Sequence, residues 1–292
     1  MNQESSPGVV SPSSSLPWVT IALLGANLAM FVFGVFNGLD WLKPDPDRMI
    51  ELGGNLAPLT LSGEPWRMLT SIFMHGGAIH LAVNMYMLIM VGPIAERMFG
   101  RIAFGAIYLA AGLAGAWMST LWNWQHEVPG GLFGMGMRLP VYLVRPTVSI
   151  GASGALMGIA GALFAARMIE HLRDYVDTTP GFGKAIGQVI LINLGMGFVI
   201  TGIDQAAHVG GLLGGLALGA VVMGVAPDLG LRRAIVGIAL GAALGAGLYG
   251  HVASVKDEGV AEFRAQYTEQ RREEQAERDA AQRRAAIVGA YV

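Results

Sequence analysis

The chain has 292 residues, of which 53% are hydrophobic and only 14% are charged. Soluble globular domains carry about 25% charged residues, so the composition excludes an ordinary soluble domain and indicates a polytopic membrane protein. A net charge of −2 argues against nucleic acid as the main partner. The absence of cysteine excludes disulfides, thiol catalysis and cysteine-based metal sites.

The N-terminal stretch, residues 1–16, is rich in Ser and Pro and contains no Lys or Arg. It therefore lacks the basic region that opens a signal peptide, and the apolar run that follows is too long for a signal-peptide core. The composition predicts a disordered tail in front of a retained membrane helix.

Seven apolar segments follow, each close to the length of about twenty residues that crosses a bilayer. The predicted spans are residues 17–39, 79–99, 102–124, 153–171, 184–202, 206–225 and 234–253. Together they predict an all-α polytopic membrane domain over residues 17–253, with long connections at 40–78 and 125–149. Trp66 in the first connection suits the headgroup region of the bilayer.

The basic residues favour an orientation in which the first span runs from the inside to the outside. The inner loops then carry seven basic residues and the outer loops five, in agreement with the positive-inside rule. The inner set is Arg97, Arg101, Arg167, Arg173, Lys184, Arg232 and Arg233, and the outer set is Lys43, Arg48, Arg67, Arg138 and Arg145. With seven spans, this orientation places the C-terminus outside.

The last segment, residues 254–292, contains seven basic and eight acidic residues. Two pairs of opposite charges stand at i,i+4 spacing, which predicts a solvated helix with ion pairs along it. These pairs are Glu274 with Arg278 and Asp279 with Arg283. A short apolar stripe, suited to contact the membrane or a partner, consists of Val260, Phe263 and Tyr267.

Residues 147–158 hold the strongest catalytic signal. Ser153 has glycine two residues before it and one after it, at the start of an apolar helix. Glycines reduce the bulk around the hydroxyl and let backbone N–H groups approach a substrate carbonyl, as an oxyanion requires. Ser153 is therefore the candidate nucleophile. The nucleophile elbow of α/β-hydrolases is excluded, because it needs a preceding strand and a glycine at the position of Ala155.

The same stretch has a simpler interpretation as a packing motif. Gly154 and Gly158 form a small-xxx-small pair, which by itself favours close contact of two membrane helices over catalysis by about two to one. The polar residues of other spans decide between the two interpretations.

Ionisable groups inside a membrane are costly and are functional candidates by default. His75, His80 and Asn84 lie around the start of the second span, and His208 lies near the start of the sixth. His80 and Asn84 are four residues apart and share one helix face. Because even-numbered spans all enter from the same side, these groups and Ser153 belong to one outer layer of the bundle.

Spacing also predicts which helix faces meet. His208, Gly211 and Gly215 follow each other at i, i+3 and i+7, so the histidine lies on the glycine-lined face of its span. That face matches the glycine pair of the fourth span. Close approach would bring Ser153 within hydrogen-bond reach of the imidazole, which can take the serine proton.

Three motifs, each opening an even-numbered span, resemble those of the rhomboid intramembrane serine proteases. They are His80-x-x-x-Asn84, Gly151-Ala152-Ser153-Gly154-Ala155 and Ala207-His208-Val209-Gly210-Gly211-x-x-x-Gly215. The resemblance covers most of residues 17–225 and implies the helical bundle of that family. The seventh span resembles the longer, six-plus-one members.

The resemblance implies a catalytic dyad, with Ser153 as nucleophile and His208 as general base and then general acid. The side chains of His80 and Asn84, with the backbone N–H of Ser153, would form the oxyanion hole, and His75 would be a structural neighbour. No cofactor and no metal is implied.

The implied substrate is a single-pass membrane protein, cut within or near its transmembrane segment, with membrane lipid as the surroundings and no nucleic-acid partner. The fifth span and the turn at residues 202–204 would act as a lateral gate. The implied location is the plasma membrane of a bacterium, with the active site open to the extracytoplasmic side.

The resemblance extends to supporting residues. Trp66 and Arg67 in the first connection, with Glu96 at the end of the second span, resemble a structural pair in which the arginine is tied to the acid. Met157 stands where the family often has an aromatic ring against the catalytic histidine, a space that methionine can fill. Asp204 has the position and residue type of a helix N-cap, which competes with a role as the acid of a triad.

Three other functions fit parts of the pattern. A zinc intramembrane protease needs a helical His-Glu-x-x-His, and no second histidine follows His126 and Glu127 at that spacing. A transporter would more often show internal repeats or broken helices in both halves. A catalytically inactive rhomboid-like binding protein is the main alternative outside the enzymes, although such proteins usually lack the serine or the histidine.

Overall fold

A computed structural model describes residues 16–127, 147–172, 181–199, 202–226, 230–256 and 258–289. Most of the predicted N-terminal tail and of the connection 125–149 lies outside these residues. The described helices are α1 Trp18–Phe36, α2 Pro46–Glu51, α3 Ala57–Leu61, α4 Arg67–Ser71, α5 Ala78–Phe99, α6 Arg101–Glu127, α7 Ser153–Leu172, α8 Phe182–Val199, α9 Gln205–Val225, α10 Leu231–Ser254 and α11 Glu258–Gly289. The described strands are β1 Asn55–Leu56 and β2 Val148–Ser149.

Seven of these helices correspond to the predicted spans. Five of them, α1, α5, α6, α9 and α10, are long and apolar enough to cross a membrane. The other two, α7 and α8, contain the shorter apolar stretches Ser153–Ile169 and Phe182–Gly197. The all-α polytopic fold is therefore confirmed, while the assignment of all seven helices as spans stays a prediction.

Helix α7 packs against both α6 and α9, which also contact each other. Its side chains Leu156, Ile159 and Leu163 are fully buried and share one apolar core with Phe104 and Tyr108 of α6. A helix that is apolar around its whole circumference suits such a position, because it buries every face against a neighbour. The serine at its start is therefore held by a helix with many fully buried side chains.

Helices α7 and α9 touch through their backbones. A Cβ atom added to Gly211 would lie 2.0 Å from the carbonyl oxygen of Gly154, and one added to Gly215 would lie 1.9 Å from that of Gly158. Neither contact tolerates a side chain, so both glycines of α9 are required for the approach. The structure thus brings together the two glycine-lined faces that the spacing predicts.

The connection between α1 and α5, residues 37–77, folds into α2, β1, α3 and α4. Strand β1 pairs antiparallel with β2, with Asn55 opposite Ser149 and Leu56 opposite Val148. The N–H of Gly151 then donates to the carbonyl oxygen of Ser71 at 2.9 Å. These hydrogen bonds hold the first connection, residues 37–77, against residues 148–151, which lead into α7.

The pairing expected between Arg67 and Glu96 is wrong. Arg67 bonds to Glu64, with its Nε 2.7 Å from a carboxylate oxygen, and its guanidinium stacks 4.7 Å from the centre of the Trp66 ring. Glu96 instead accepts from the backbone N–H of Thr20 at 2.8 Å. Glu96 lies near the C-terminal end of α5, whereas Arg67 begins α4 before the N-terminal end of α5. The acid therefore caps the start of α1, and the arginine bonds within the first connection.

Candidate active site

Ser153 is the first residue of α7 and follows a turn built on glycine. Gly151 has a φ of 120°, a left-handed conformation that L side chains rarely adopt. A Cβ atom at Gly151 would lie 3.7 Å from the Ser153 hydroxyl oxygen and only 2.9 Å from Nε2 of His80. Glycine is therefore needed here both for the backbone conformation and for the space between serine and histidine.

His80 lies in the first turn of α5 with its two ring nitrogens in different roles. Its Nδ1 accepts from the backbone N–H of Gly76 at 3.1 Å. In the neutral ring the proton must then be on Nε2, which becomes a donor. Because Nε2 faces the space beside Gly151 and Ser153, His80 presents an N–H group towards the serine.

Asn84 lies one turn further along α5 and is only 4% exposed. Its amide nitrogen donates to the carbonyl oxygen of His80 at 2.9 Å. An amide group carries two N–H donors, so one remains for a ligand on the same helix face as His80.

His75 lies before α5 and packs edge-on against His80, with ring centroids 5.2 Å apart. Its Nδ1 lies 3.2 Å from the carbonyl oxygen of Phe73. Burial, followed in importance by the nearby His80, lowers the pKa of His75 to about 3. The ring is therefore neutral at physiological pH and supports His80 as a packing partner.

His208 lies in the first turn of α9 and is 6% exposed. Its Nδ1 has no hydrogen-bond partner among the described residues. The preceding residue, Ala207, presents its carbonyl oxygen to two glycines of neighbouring helices. Added Cβ atoms would lie 3.2 Å from that oxygen at Gly154 and 2.7 Å from it at Gly115 of α6. The backbone before His208 is thus wedged against the turn of α7 that carries Ser153.

Asp204 is the N-cap of α9, as its position in the sequence predicts. One carboxylate oxygen accepts from the N–H of Ala207 at 2.9 Å, and the other accepts from the hydroxyl of Ser119 at 2.5 Å. Asn123 in turn donates to the Ser119 oxygen at 3.1 Å. Both oxygens of the carboxylate are therefore engaged by groups other than His208.

Ser119 was not predicted from the sequence. Serine and threonine are common in membrane helices, so a hydroxyl in α6 carries no distinctive signal by itself. The same holds for Thr120, whose hydroxyl lies 3.0 Å from the amide nitrogen of Asn55. That amide also donates to the carbonyl oxygen of Ala116 at 3.2 Å, which anchors β1 to α6.

The remaining predicted residues have no demonstrated part in the site. Met157 is fully buried in α7, and its contact with the histidine ring stays a prediction. Trp66 is 44% exposed beside Arg67 on the first connection. Both predicted ion pairs of the C-terminal segment, Glu274 with Arg278 and Asp279 with Arg283, involve side chains outside the described part of the chain.

The described groups suit acyl transfer. The partly buried Ser153 lies at a helix N-terminus beside the imidazole N–H of His80, and the buried imidazole of His208 lies in the first turn of the adjacent helix. The positive ends of the α7 and α9 dipoles point towards this space. These are the parts that a serine nucleophile, its base and an anion-stabilising site require.

Comparison with known proteins identifies the family. The rhomboid domain family model matches residues 62–225. The chain is 33% identical to rhomboid protease GluP of Bacillus subtilis over 199 residues, which cover 68% of this chain and 34% of GluP. It is 29% identical to rhomboid protease AarA of Providencia stuartii over 205 residues, or 67% of this chain and 69% of AarA.

A plant protein, RHOMBOID-like protein 5 of Arabidopsis thaliana, is 34% identical over 182 residues, which cover 62% of this chain and 52% of the plant protein. The chain thus spans about a third of GluP and about half of the plant relative. The family model covers more than half of the chain, including the starts of α5, α7 and α9. The chain therefore belongs to the rhomboid family.

Proposed function

We propose that the chain is an intramembrane serine endopeptidase that cleaves single-pass membrane proteins within or near their transmembrane segment. The observation that carries the proposal is the backbone contact between Gly154 and Gly211. These glycines stand one residue after Ser153 and three residues after His208. The contact therefore supports a catalytic pair made from the first turns of α7 and α9.

In the proposed reaction, the Ser153 hydroxyl attacks the scissile carbonyl while His208 takes the hydroxyl proton. The histidine then gives this proton to the leaving amine, and an acyl-enzyme remains on the serine. Water, activated by the same histidine, attacks the acyl group and releases the second product. The partial exposure of Ser153 is consistent with access for that water.

The tetrahedral intermediate carries a negative oxygen that needs hydrogen-bond donors. We assign this role to the Nε2–H of His80, the unused amide N–H of Asn84 and the backbone N–H of Ser153. The backbone N–H of Gly76 donates a hydrogen bond to Nδ1 of His80. This bond supports the assignment for His80, because it leaves the ring proton on Nε2, the nitrogen that faces the serine.

We infer a dyad without an acid. The carboxylate of Asp204 is occupied by the N–H of Ala207 and the hydroxyl of Ser119, and Nδ1 of His208 has no partner among the described residues. A carboxylate held in this way has little freedom to orient an imidazole one turn deeper in the helix.

GluP and AarA are named as proteases, which supports the hydrolase proposal over an inactive binding protein. We further propose that the chain resides in the plasma membrane of a bacterium, with Ser153 open to the extracytoplasmic side. A substrate helix would enter beside α8 and the turn at residues 202–204.

The test compares wild-type protein with Ser153→Ala. Co-expression with a panel of tagged single-pass membrane proteins should give cleavage products only with the wild type, because the change removes the attacking oxygen while leaving the helix intact. A fluorophosphonate probe should label the wild type and not the variant, and chelators should have no effect.

Labelling that persists in Ser153→Ala would contradict the assignment of the nucleophile. Substrate capture without cleavage by the wild type, together with absence of labelling, would favour the inactive binding protein. Activity lost to a chelator and restored by zinc would overturn the serine mechanism.

A further inference from the structure

The C-terminal helix α11 does not stand alone in solvent. Its residues Phe263 and Tyr267 stack with ring centroids 5.9 Å apart and join an apolar cluster built by the first connection and by both strands. The other members of this cluster are Ile50, Leu56, Leu59 and Val148. The stripe predicted to meet the membrane or a partner therefore packs on the chain itself.

The start of α11 is held in the same way. Val260 is buried in a second apolar cluster with Leu61 and Met68 of the first connection and with Val252 of α10. Val260, Phe263 and Tyr267 follow at i, i+3 and i+7, so they occupy one face of the helix. This face lies against the connection over about two turns.

Charged groups reinforce the apolar contact. Arg264 donates to the backbone and hydroxyl oxygens of Ser62 and pairs with Glu64 at 3.3 Å. Further along the helix, Arg271 pairs with Glu51 at the end of α2. All three acceptor residues belong to the first connection, so α11 is tied to it at two separate points.

A continuous set of bonds leads from α11 to the active-site turn. Glu64, which pairs with Arg264, also pairs with Arg67 at 2.6 Å. Arg67 donates to the carbonyl oxygen of Gly54 at 3.0 Å, directly before β1. Strand β1 pairs with β2, which ends four residues before Ser153.

This strand pair depends on outside support. Two strands of two residues each form too small a ladder to be stable alone in water. Leu56 is fully buried, and Val148 packs against the cluster that Phe263 completes. Removal of α11 would uncover this cluster at the segment that leads into Ser153.

We propose that α11 is a positioning element of the active site, which holds the β1–β2 ladder and thereby the turn before Ser153 through Phe263, Arg264 and Arg271. The proposal rests on the proposed peptidase function for its catalytic consequence. Helix α11 acts in this way without contacting the substrate.

The test uses full-length Phe263→Ala and Arg271→Glu. Each should lower kcat by about tenfold to a hundredfold, because a small displacement of a catalytic group has an effect of that size. KM for the same transmembrane substrate should stay within about twofold, since substrate binding does not involve α11. The matched control is Arg272→Glu, whose side chain is 75% exposed and pairs within α11 with Glu269 at 3.5 Å.

The cleavage rate of each variant is divided by its amount of fluorophosphonate-reactive serine, so that the corrected kcat refers to folded enzyme only. A purely stabilising helix would reduce the reactive amount and leave the corrected kcat unchanged, and that outcome overturns the proposal. The double variant Arg271→Glu with Glu51→Arg restores the opposite charges and should recover most of the corrected kcat. The proposal would also be overturned if the double variant did not recover the corrected kcat, or if Arg272→Glu lost as much kcat as Arg271→Glu.

A second readout does not need catalysis. In a Ser153→Ala background, hydrogen exchange of the peptides that contain β1 and β2 should accelerate in Phe263→Ala and Arg271→Glu but not in Arg272→Glu. Unchanged exchange in the first two variants contradicts the proposal. If the wild type showed no peptidase activity while exchange followed this pattern, the proposed function would fail and the structural coupling would stand.

Discussion

The two ring nitrogens of His80 show how a single backbone contact assigns chemistry to a side chain. The N–H of Gly76 donates to Nδ1, which makes Nε2 the donor. A ring with the opposite tautomer would present a lone pair to the oxyanion and repel it. The placement of Gly76 four residues before His80 is thus part of the site.

The oxyanion assignment predicts that His80→Ala and Asn84→Ala each lower kcat by about a hundredfold to a thousandfold, the usual cost of one lost donor. KM should change little, because these donors act on the transition state. Val83→Ala is the control, since this side chain is 60% exposed on the same helix. Wild-type kcat in both His80→Ala and Asn84→Ala would show that they are structural.

Asp204 separates a dyad from a triad. We predict that Asp204→Asn retains most activity, because the amide still accepts from Ala207 and keeps a polar contact with Ser119. Asp204→Ala loses the cap and up to about 2 kcal/mol of stability. The measurements are the cleavage rate and the free energy of unfolding of each variant.

A working triad gives a different result for the same substitution. In soluble serine proteases, replacement of the acid by Asn lowers kcat about ten-thousandfold by favouring the wrong histidine tautomer. A loss approaching that size in Asp204→Asn would overturn the dyad.

At the scale of the helices, the active site depends on how closely α7 and α9 approach. Their contact consists of backbone atoms at two successive turns, because glycines face carbonyl oxygens at Gly211 and at Gly215. A helix pair without side chains between its axes has no freedom to adjust by rotamer changes. The relative depth of Ser153 and His208 therefore follows from the glycine positions.

Gly211→Ala tests this dependence. Its Cβ would lie 2.0 Å from the Gly154 oxygen, so the helices must separate and kcat should fall by about a hundredfold or more. Gly224→Ala is the control on the same helix, because its Cβ would meet no atom within 4 Å, and it should keep wild-type activity. Equal activity of the two variants would disprove the requirement for contact at Gly211.

At the scale of the whole molecule, the contact between α11 and the first connection constrains the topology. The two segments touch, so they lie on one side of the membrane, and the chain crosses an even number of times between them. Helices α5 to α10 supply that even number if all six are spans. The start of α7 lies on the same side, since β2 pairs with β1.

Single cysteines in this cysteine-free chain test the arrangement. Lys43→Cys in the first connection and Gln266→Cys in α11 are predicted to react with an impermeant maleimide from one side of sealed vesicles. Arg97→Cys, at the end of α5, should react only from the other side, because one span separates it from the first connection. Reaction of Lys43→Cys and Gln266→Cys from opposite sides would refute the topology.

The sequence by itself determined the long apolar helices, the glycine-flanked position of Ser153 at a helix start and the cap at Asp204. Each of these depends on residues close together in the chain. Apolar runs determine which segments form buried or membrane-spanning helices. Glycine spacing determines which face of a helix allows close contact with another helix, and an N-cap residue bonds to the first turn of its own helix. The family resemblance rests on the same local patterns.

The tertiary structure alone decided which partners several distant side chains contact. Arg67 pairs with Glu64 and not with Glu96, because α5 carries the latter to the opposite end of the bundle. Ser119 donates to Asp204, which lies 85 positions further along the chain. The apolar stripe of α11, which includes Phe263 and Tyr267, packs against the first connection. Polar and apolar side chains have many acceptable partners, and only the packing of the helices selects one.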